Sequence, residues 1–206
     1  MKIKICGMKD PVNIRQMATL PVDMLGFIFY ENSPRYAGNL APEALNPVPP
    51  EILKVGVFVD SDMDYILCKA KQYNLDMIQL HGSETPLFCR GIRNCGYRVI
   101  KNIPVGGKDD LSNCQLYENS CDYFLFDTKT PQHGGSGRKF DWQILSGYDS
   151  DTPYFLSGGI GEDEFRSSEL KTFCASASNL YAIDLNSRFE IAPGIKDIEK
   201  LKSVLT

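Results

Sequence analysis

Short apolar runs alternate with amphipathic, polar-rich stretches eight times along the chain. The first run, Lys2-Ile3-Lys4-Ile5-Cys6, changes character at every residue and stops at Gly7. Period-two alternation of that kind predicts a strand. The next runs, residues 24–29, 53–59, 77–80, 97–103, 123–127, 154–156 and 180–184, are mostly continuous in apolar side chains. Runs of this sort suit strands covered on both faces. Helices are predicted between them. Asp10-Pro11 opens the first, with Asp as N-cap and Pro at the first helical position. Further helices are expected over residues 42–45, from 61–62 to 73–74, over 85–93, 108–119, 142–145, 162–170 and 197–205.

Strands that alternate with helices imply parallel pairing, because each return to the same sheet edge needs a crossover. Eight such units predict an α/β chain closed into a (β/α)8 TIM barrel, for which about 200 residues is the lower limit. The alternative is an open doubly wound sheet, which normally carries a glycine-rich loop after its first strand. Cys6-Gly7-Met8 is not that fingerprint. No linker or low-complexity stretch divides the sequence, so residues 1–206 are expected to form one domain.

Composition narrows the function. The net charge is -4 and the pI about 5.3, with no basic stripe, which argues against nucleic-acid partners. No run approaches the length of a membrane span and none resembles a signal peptide, so no membrane partner and a cytoplasmic location are expected. Seven cysteines without a CxxC pair read as reduced thiols. With His81 and His133 the only histidines, a zinc site is not expected.

In a barrel, the active site lies at the carboxyl ends of the strands. Those ends are Cys6, Phe29, Val59, His81, Ile103, Asp127, Gly158 and Asp184. In the first strand Lys2, Lys4 and Cys6 share a face, so Cys6 points inward with Lys4 beneath it. An ammonium there favours a thiolate, or it closes the barrel floor through a salt bridge. Asp127 ends an aromatic strand just before a long glycine-bearing loop, residues 128–139. It reads as an acid facing the thiol, or as a cap for that loop. His81 suits binding of a substrate oxygen or of a neighbour. Ser157-Gly158-Gly159 and Asn186-Ser187 follow the last two strands, where barrels often bind phosphate; ordinary tight turns are the alternative. Arg35, between Pro34 and Tyr36, suits a carboxylate, or is a solvated surface arginine.

Several motifs occur in one order along nearly the whole chain. They are Lys4-Ile5-Cys6-Gly7, Gly26-Phe27-Ile28-Phe29 with Ser33-Pro34-Arg35-Tyr36, Val55-Gly56-Val57-Phe58-Val59, and Gln79-Leu80-His81-Gly82. Asp127-Thr128 with Gly134-Gly135-Ser136-Gly137, Phe140-Asp141-Trp142, Leu156-Ser157-Gly158-Gly159 and Pro193-Gly194-Ile195-Lys196-Asp197 follow. Together they resemble the phosphoribosylanthranilate isomerase family of tryptophan biosynthesis. The resemblance implies a (β/α)8 barrel without cofactor or metal, acting on a small phosphorylated substrate as a monomer or weak homodimer. The implied reaction is an Amadori rearrangement with Cys6 as general base and Asp127 as general acid. Arg35 would hold the anthranilate carboxylate. The Gly158-Gly159 and Asn186-Ser187 loops match the family's phosphate site, and His81 and Asp184, at their strand ends, are further substrate-binding candidates. Arg188 stands where the family usually has glycine. If that position needs positive φ, arginine would be strained; otherwise the loop differs and Arg188 helps with the phosphate charge.

Overall fold

A computed structural model describes residues 1–129 and 141–206. Eight parallel strands close into a barrel in chain order: β1 Lys2–Ile5, β2 Met24–Ile28, β3 Leu53–Phe58, β4 Met77–Leu80, β5 Arg98–Val105, β6 Tyr123–Thr128, β7 Tyr154–Leu156 and β8 Leu180–Leu185. The ring shuts through β1 and β8, with Lys4 opposite Asp184 and Ile5 opposite Leu185. The TIM-barrel expectation holds, and all eight predicted strands are present to within two residues at either end.

The pleat sorts the side chains into two cores. Met24, Val55, Met77, Ile100, Leu125, Phe155 and Ala182 fill the lower barrel interior. The alternate residues, among them Ile5, Phe27, Phe58, Ile78, Phe124, Phe126 and Leu156, pack outward against the helices. The lumen is thus filled by apolar side chains below the Lys4–Asp184 level.

The helical layer is α1 Pro11–Met17, α2 Met63–Gln72, α3 Pro86–Asn94, α4 Asn113–Tyr117, α5 Glu162–Arg166, α6 Ser168–Ser176 and α7 Ile198–Leu205. Side-chain caps start four of them where expected. Asp10 accepts from Asn13 N, Asp62 from Tyr65 N, Thr85 from Phe88 N and Asp197 from Lys200 N. The segments Pro42–Leu45 and Trp142–Gly147 are 3-10 turns, and the single helix expected over 108–119 is a 3-10 turn, Lys108–Ser112, running into α4. The helix expected over 162–170 is two helices. Ser167 ends α5 in extended backbone and caps α6 through Leu170 N. A two-stranded hairpin, β9 Glu190–Ala192 and β10 Ile195–Lys196, follows β8 unforeseen. Strands of three and two residues are too short to show a period.

Candidate active site

The backbone of β1 continues its pairing one step past its end, since Cys6 N donates to Leu185 O at 2.9 Å. That places Cys6 beside Asn186. Its sulfur needs room on the other side, and β2 supplies it: a Cβ on Gly26 would lie 2.9 Å from Cys6 Sγ. Below the buried thiol, Lys4 Nζ donates to Asp184 Oδ1 at 2.9 Å, with side-chain exposures of 0% and 6%. The pair meets the salt-bridge reading of Lys4. Lys4 also pulls the Cys6 thiol toward the thiolate, as expected of an ammonium there, but burial outweighs it. Burial pushes the Cys6 thiol above its ordinary value. Lys4 opposes that, Asp184 adds to it, and the nearby Lys196 is too weak to reverse it. For Lys4 itself burial works against the charge, yet Asp184 and Cys6 hold its pKa above the usual lysine value. Asp184, expected among the substrate ligands, is engaged by Lys4.

Asp127 stands at the end of β6, three strands round the ring from β1. Its Oδ1 accepts from Thr128 N at 2.8 Å. Burial raises the carboxyl to about 6 against the pull of that amide; Asp184 pushes the same way and Lys4 opposes. One buried ion pair therefore acts on both candidate groups. Residues 130–140, including the expected glycine-bearing part of the loop, lie outside the described residues.

His81 follows β4 and points at Asp127, with Nε2 3.8 Å from Asp127 Oδ2. Its Nδ1 lies 2.9 Å from Gln79 Nε2. With the Gln79 amide donating, Nδ1 accepts and Nε2 carries the proton toward Asp127. The loop after His81 is fastened from outside the barrel. Glu84 accepts from Gly82 N and Asp60 N, and Lys101 Nζ bonds both Glu84 Oε2 (2.7 Å) and Gly82 O (2.6 Å). Neither Glu84 nor Lys101 had a sequence signal as part of the site's support.

Gly158 has φ +92°, and a Cβ there would sit 2.5 Å from Thr128 Oγ1 and 3.2 Å from Asp127 Oδ1. Its lack of a side chain lets β7's end lie against the acid. Gly159 also has positive φ, +67°. The helix dipole expected beyond them is answered from within the protein: α5 is five residues long, its first turn is acidic, and Glu164 caps Gly161 N. The phosphate expectation there rests on the glycine amides. Ser187 opens a 3-10 turn, Ser187–Phe189, so Arg188 has helical backbone and no positive φ. The feared strain at Arg188 does not arise, and its guanidinium lies 3.7 Å from Glu164.

Arg35 is not a surface arginine. Its Nε and Nη2 fork onto Glu190, at 2.9 Å to Oε1 and 2.8 Å to Oε2. Glu190 Oε1 also takes Lys196 Nζ at 2.7 Å and Gly194 N at 3.1 Å. Lys196 Nζ then reaches Asn186 Oδ1 at 2.7 Å. Gly7, at φ +83°, is the junction, where a Cβ would meet Arg35 Cδ at 2.8 Å and Asn186 Oδ1 at 2.9 Å. Burial alone would raise Glu190, but Arg35 and Lys196 hold its carboxyl below the usual range. Burial lowers Lys196 in spite of Glu190. Sequence reasoning gave these two residues no role. The signal available was Pro193-Gly194-Ile195-Lys196-Asp197, whose turn brings Lys196 back over Glu190.

The comparisons with known proteins agree along the whole chain. The family described as N-(5'phosphoribosyl)anthranilate (PRA) isomerase matches residues 3–206. An N-(5'-phosphoribosyl)anthranilate isomerase of Parabacteroides distasonis is 44% identical, covering 100% of this chain and 92% of its own. The crystal structure of phosphoribosyl anthranilate isomerase from Thermus thermophilus superposes with a TM-score of 0.81 at 28% identity, covering 100% of this chain and 96% of its own. A phosphoribosyl anthranilate isomerase in complex with reduced 1-(o-carboxyphenylamino)-1-deoxyribulose 5-phosphate gives 0.78 at 28% identity, with the same coverages. The chain belongs to the N-(5'phosphoribosyl)anthranilate (PRA) isomerase family, enzymes of tryptophan biosynthesis.

Proposed function

We propose that this isomerase works by Cys6 as general base and Asp127 as general acid on a substrate held by its carboxylate and its phosphate. The observation that carries the reading is the pairing of a buried thiol and a carboxyl raised to about 6 at one barrel mouth, both over the Lys4–Asp184 ion pair. Asp127 gives its proton to the furanose ring oxygen as the C1′–O bond breaks, and the nitrogen lone pair forms the C1′ iminium. Cys6 thiolate removes the C2′ proton, and the electrons of that C–H bond form an enolamine. Proton transfer to C1′ then leaves the C2′ ketone. The iminium charge, once formed beside C2′, favours the thiolate that burial disfavours. His81 donates toward Asp127 or a substrate oxygen. Arg35 receives the ring carboxylate. The Gly158–Gly159 and Asn186–Ser187 loops receive the phosphate, as suits the carboxylate and phosphate of the compound bound to the related isomerase. The barrel from β1 to β8 supports one domain over 1–206. A monomer or weak homodimer is proposed as the assembly. No helix among the described residues is long and apolar enough to cross a membrane, and a cytoplasmic location completes the reading.

The pH profile tests it. The active form needs Asp127 protonated and Cys6 ionised, although Asp127 loses its proton first. Between about 6 and the thiol pKa, each gain in thiolate is matched by a loss of acid, so kcat/KM is flat. In Asp127→Asn only the thiolate titrates, so the residual kcat/KM rises about tenfold per pH unit between pH 7 and 8.5, from a level roughly 10²–10⁴ lower. Cys6→Ala loses a similar factor while remaining folded. Wild-type activity in either variant, or a flat profile in Asp127→Asn, rules the assignment out.

A further inference from the structure

Glu190 is the most heavily engaged carboxylate near the site. It spends both oxygens on two cations from different parts of the chain, Arg35 from the loop after β2 and Lys196 from β10. The Glu190 and Lys196 side chains are 4% and 0% exposed. Burying a carboxylate between two cations costs several kcal/mol in desolvation per ion, so a solvated arginine would serve stability better. The arrangement does two things that a lone arginine could not. The fork on Nε and Nη2 fixes the guanidinium plane, leaving the remaining N–H groups set at one angle. Two cations against one carboxylate also leave one positive charge in a place shielded from water, beside Gly7 and Asn186. A single incoming carboxylate matches that charge.

We propose that Glu190 and Lys196 act with Arg35 as one receptor for the substrate's ring carboxylate: Glu190 is the positioning residue for the guanidinium, and Lys196 supplies the unbalanced charge. The inference rests on the reading of Arg35 given above and extends it to two residues on the β9–β10 hairpin. That hairpin, rather than the barrel strands, would then decide which ring the enzyme accepts.

The test compares kcat/KM for the anthranilate substrate with that for its analogue made from aniline, which lacks only the carboxylate. The ratio is measured for the wild-type enzyme, Arg35→Met, Glu190→Gln and Lys196→Met, each checked for folding by circular dichroism and thermal melting. The wild-type ratio is expected to be large and to collapse in Arg35→Met. In Glu190→Gln and Lys196→Met it is expected to fall roughly tenfold or more, mostly through KM for the anthranilate substrate. A ratio unchanged in both hairpin variants, with activity lost equally on both substrates, overturns the proposal while leaving Arg35 in place. A wild-type ratio near one removes the Arg35 reading and the proposal with it. If Glu190→Gln does not fold, Glu190→Asp replaces it. Asp keeps the charge but is one methylene short of holding both cations, and the same fall in ratio is expected.

Discussion

Lys4 and Asp184 face each other across the β1–β8 seam, 2.9 Å apart and sealed from solvent, directly beneath the thiol of Cys6. A buried pair of this kind is costly to break and cheap to replace. Lys4→Met leaves the Asp184 carboxylate without its cation and is expected to cost about 3–5 kcal/mol in denaturant unfolding. Adding Asp184→Leu should return most of that stability. Activity should not return with it, because the pair sets the field at both Cys6 and Asp127. A double variant as active as wild type would show that the pair serves the fold alone.

The burial of Asp127 costs stability wherever its carboxyl group is ionised. Its folded pKa, about 6, lies above the ordinary carboxylate value of 3.8 because burial disfavours the charge. The folded protein therefore keeps a proton that the unfolded chain releases. That advantage is complete below about pH 4 and is lost as the pH rises through 6. Asp127→Asn removes the buried charge while its oxygen can still accept from Thr128 N. The variant should be more stable than wild type at pH 8, by on the order of 2 kcal/mol, and no more stable at pH 4. Urea titrations at the two pH values decide it, and an equal difference at both would refute the burial argument.

The barrel was legible because its information is local and repeated. The first strand alternates with period two and the others are mostly apolar runs, and early helices announce themselves with caps such as Asp10 and Asp62. Residues mounted on strand ends, Cys6, His81 and Asp127, inherited that legibility, since alternation alone aims them. The raised pKa of the Cys6 thiol did not, because it comes first from burial in the closed ring and then from the balance of Lys4 against Asp184, which meets Lys4 only when the ring closes across 180 residues of sequence. Whether Arg35 met a carboxylate or solvent stayed open for the same reason: its partner Glu190 is 155 residues away on a hairpin too short to show a period. Ion pairs between distant segments leave no periodic trace, so a sequence shows where a charge sits along the chain but not what answers it.

Gly158 and Gly96 separate backbone strain from crowding of the acid. Both hold φ at +92°, a conformation in which an L side chain is strained. A Cβ on Gly96 would meet nothing within 4 Å, whereas one on Gly158 would sit 2.5 Å from Thr128 Oγ1, 3.1 Å from Thr128 N and 3.2 Å from Asp127 Oδ1. Gly96→Ala should therefore cost about 1 kcal/mol of stability and leave turnover unchanged. Gly158→Ala carries the same backbone strain and must also push β7's end away from β6, for a total of about 2–3 kcal/mol. On the proposed mechanism, displacing Asp127 by even a few tenths of an ångström lengthens its reach to a ring oxygen, and positional errors near 1 Å cost on the order of 10²-fold in rate. Gly158→Ala should lower kcat by at least tenfold at temperatures where it is still folded. Equal turnover in the two variants would mean that the glycine serves the chain's path and not the placement of the carboxyl group.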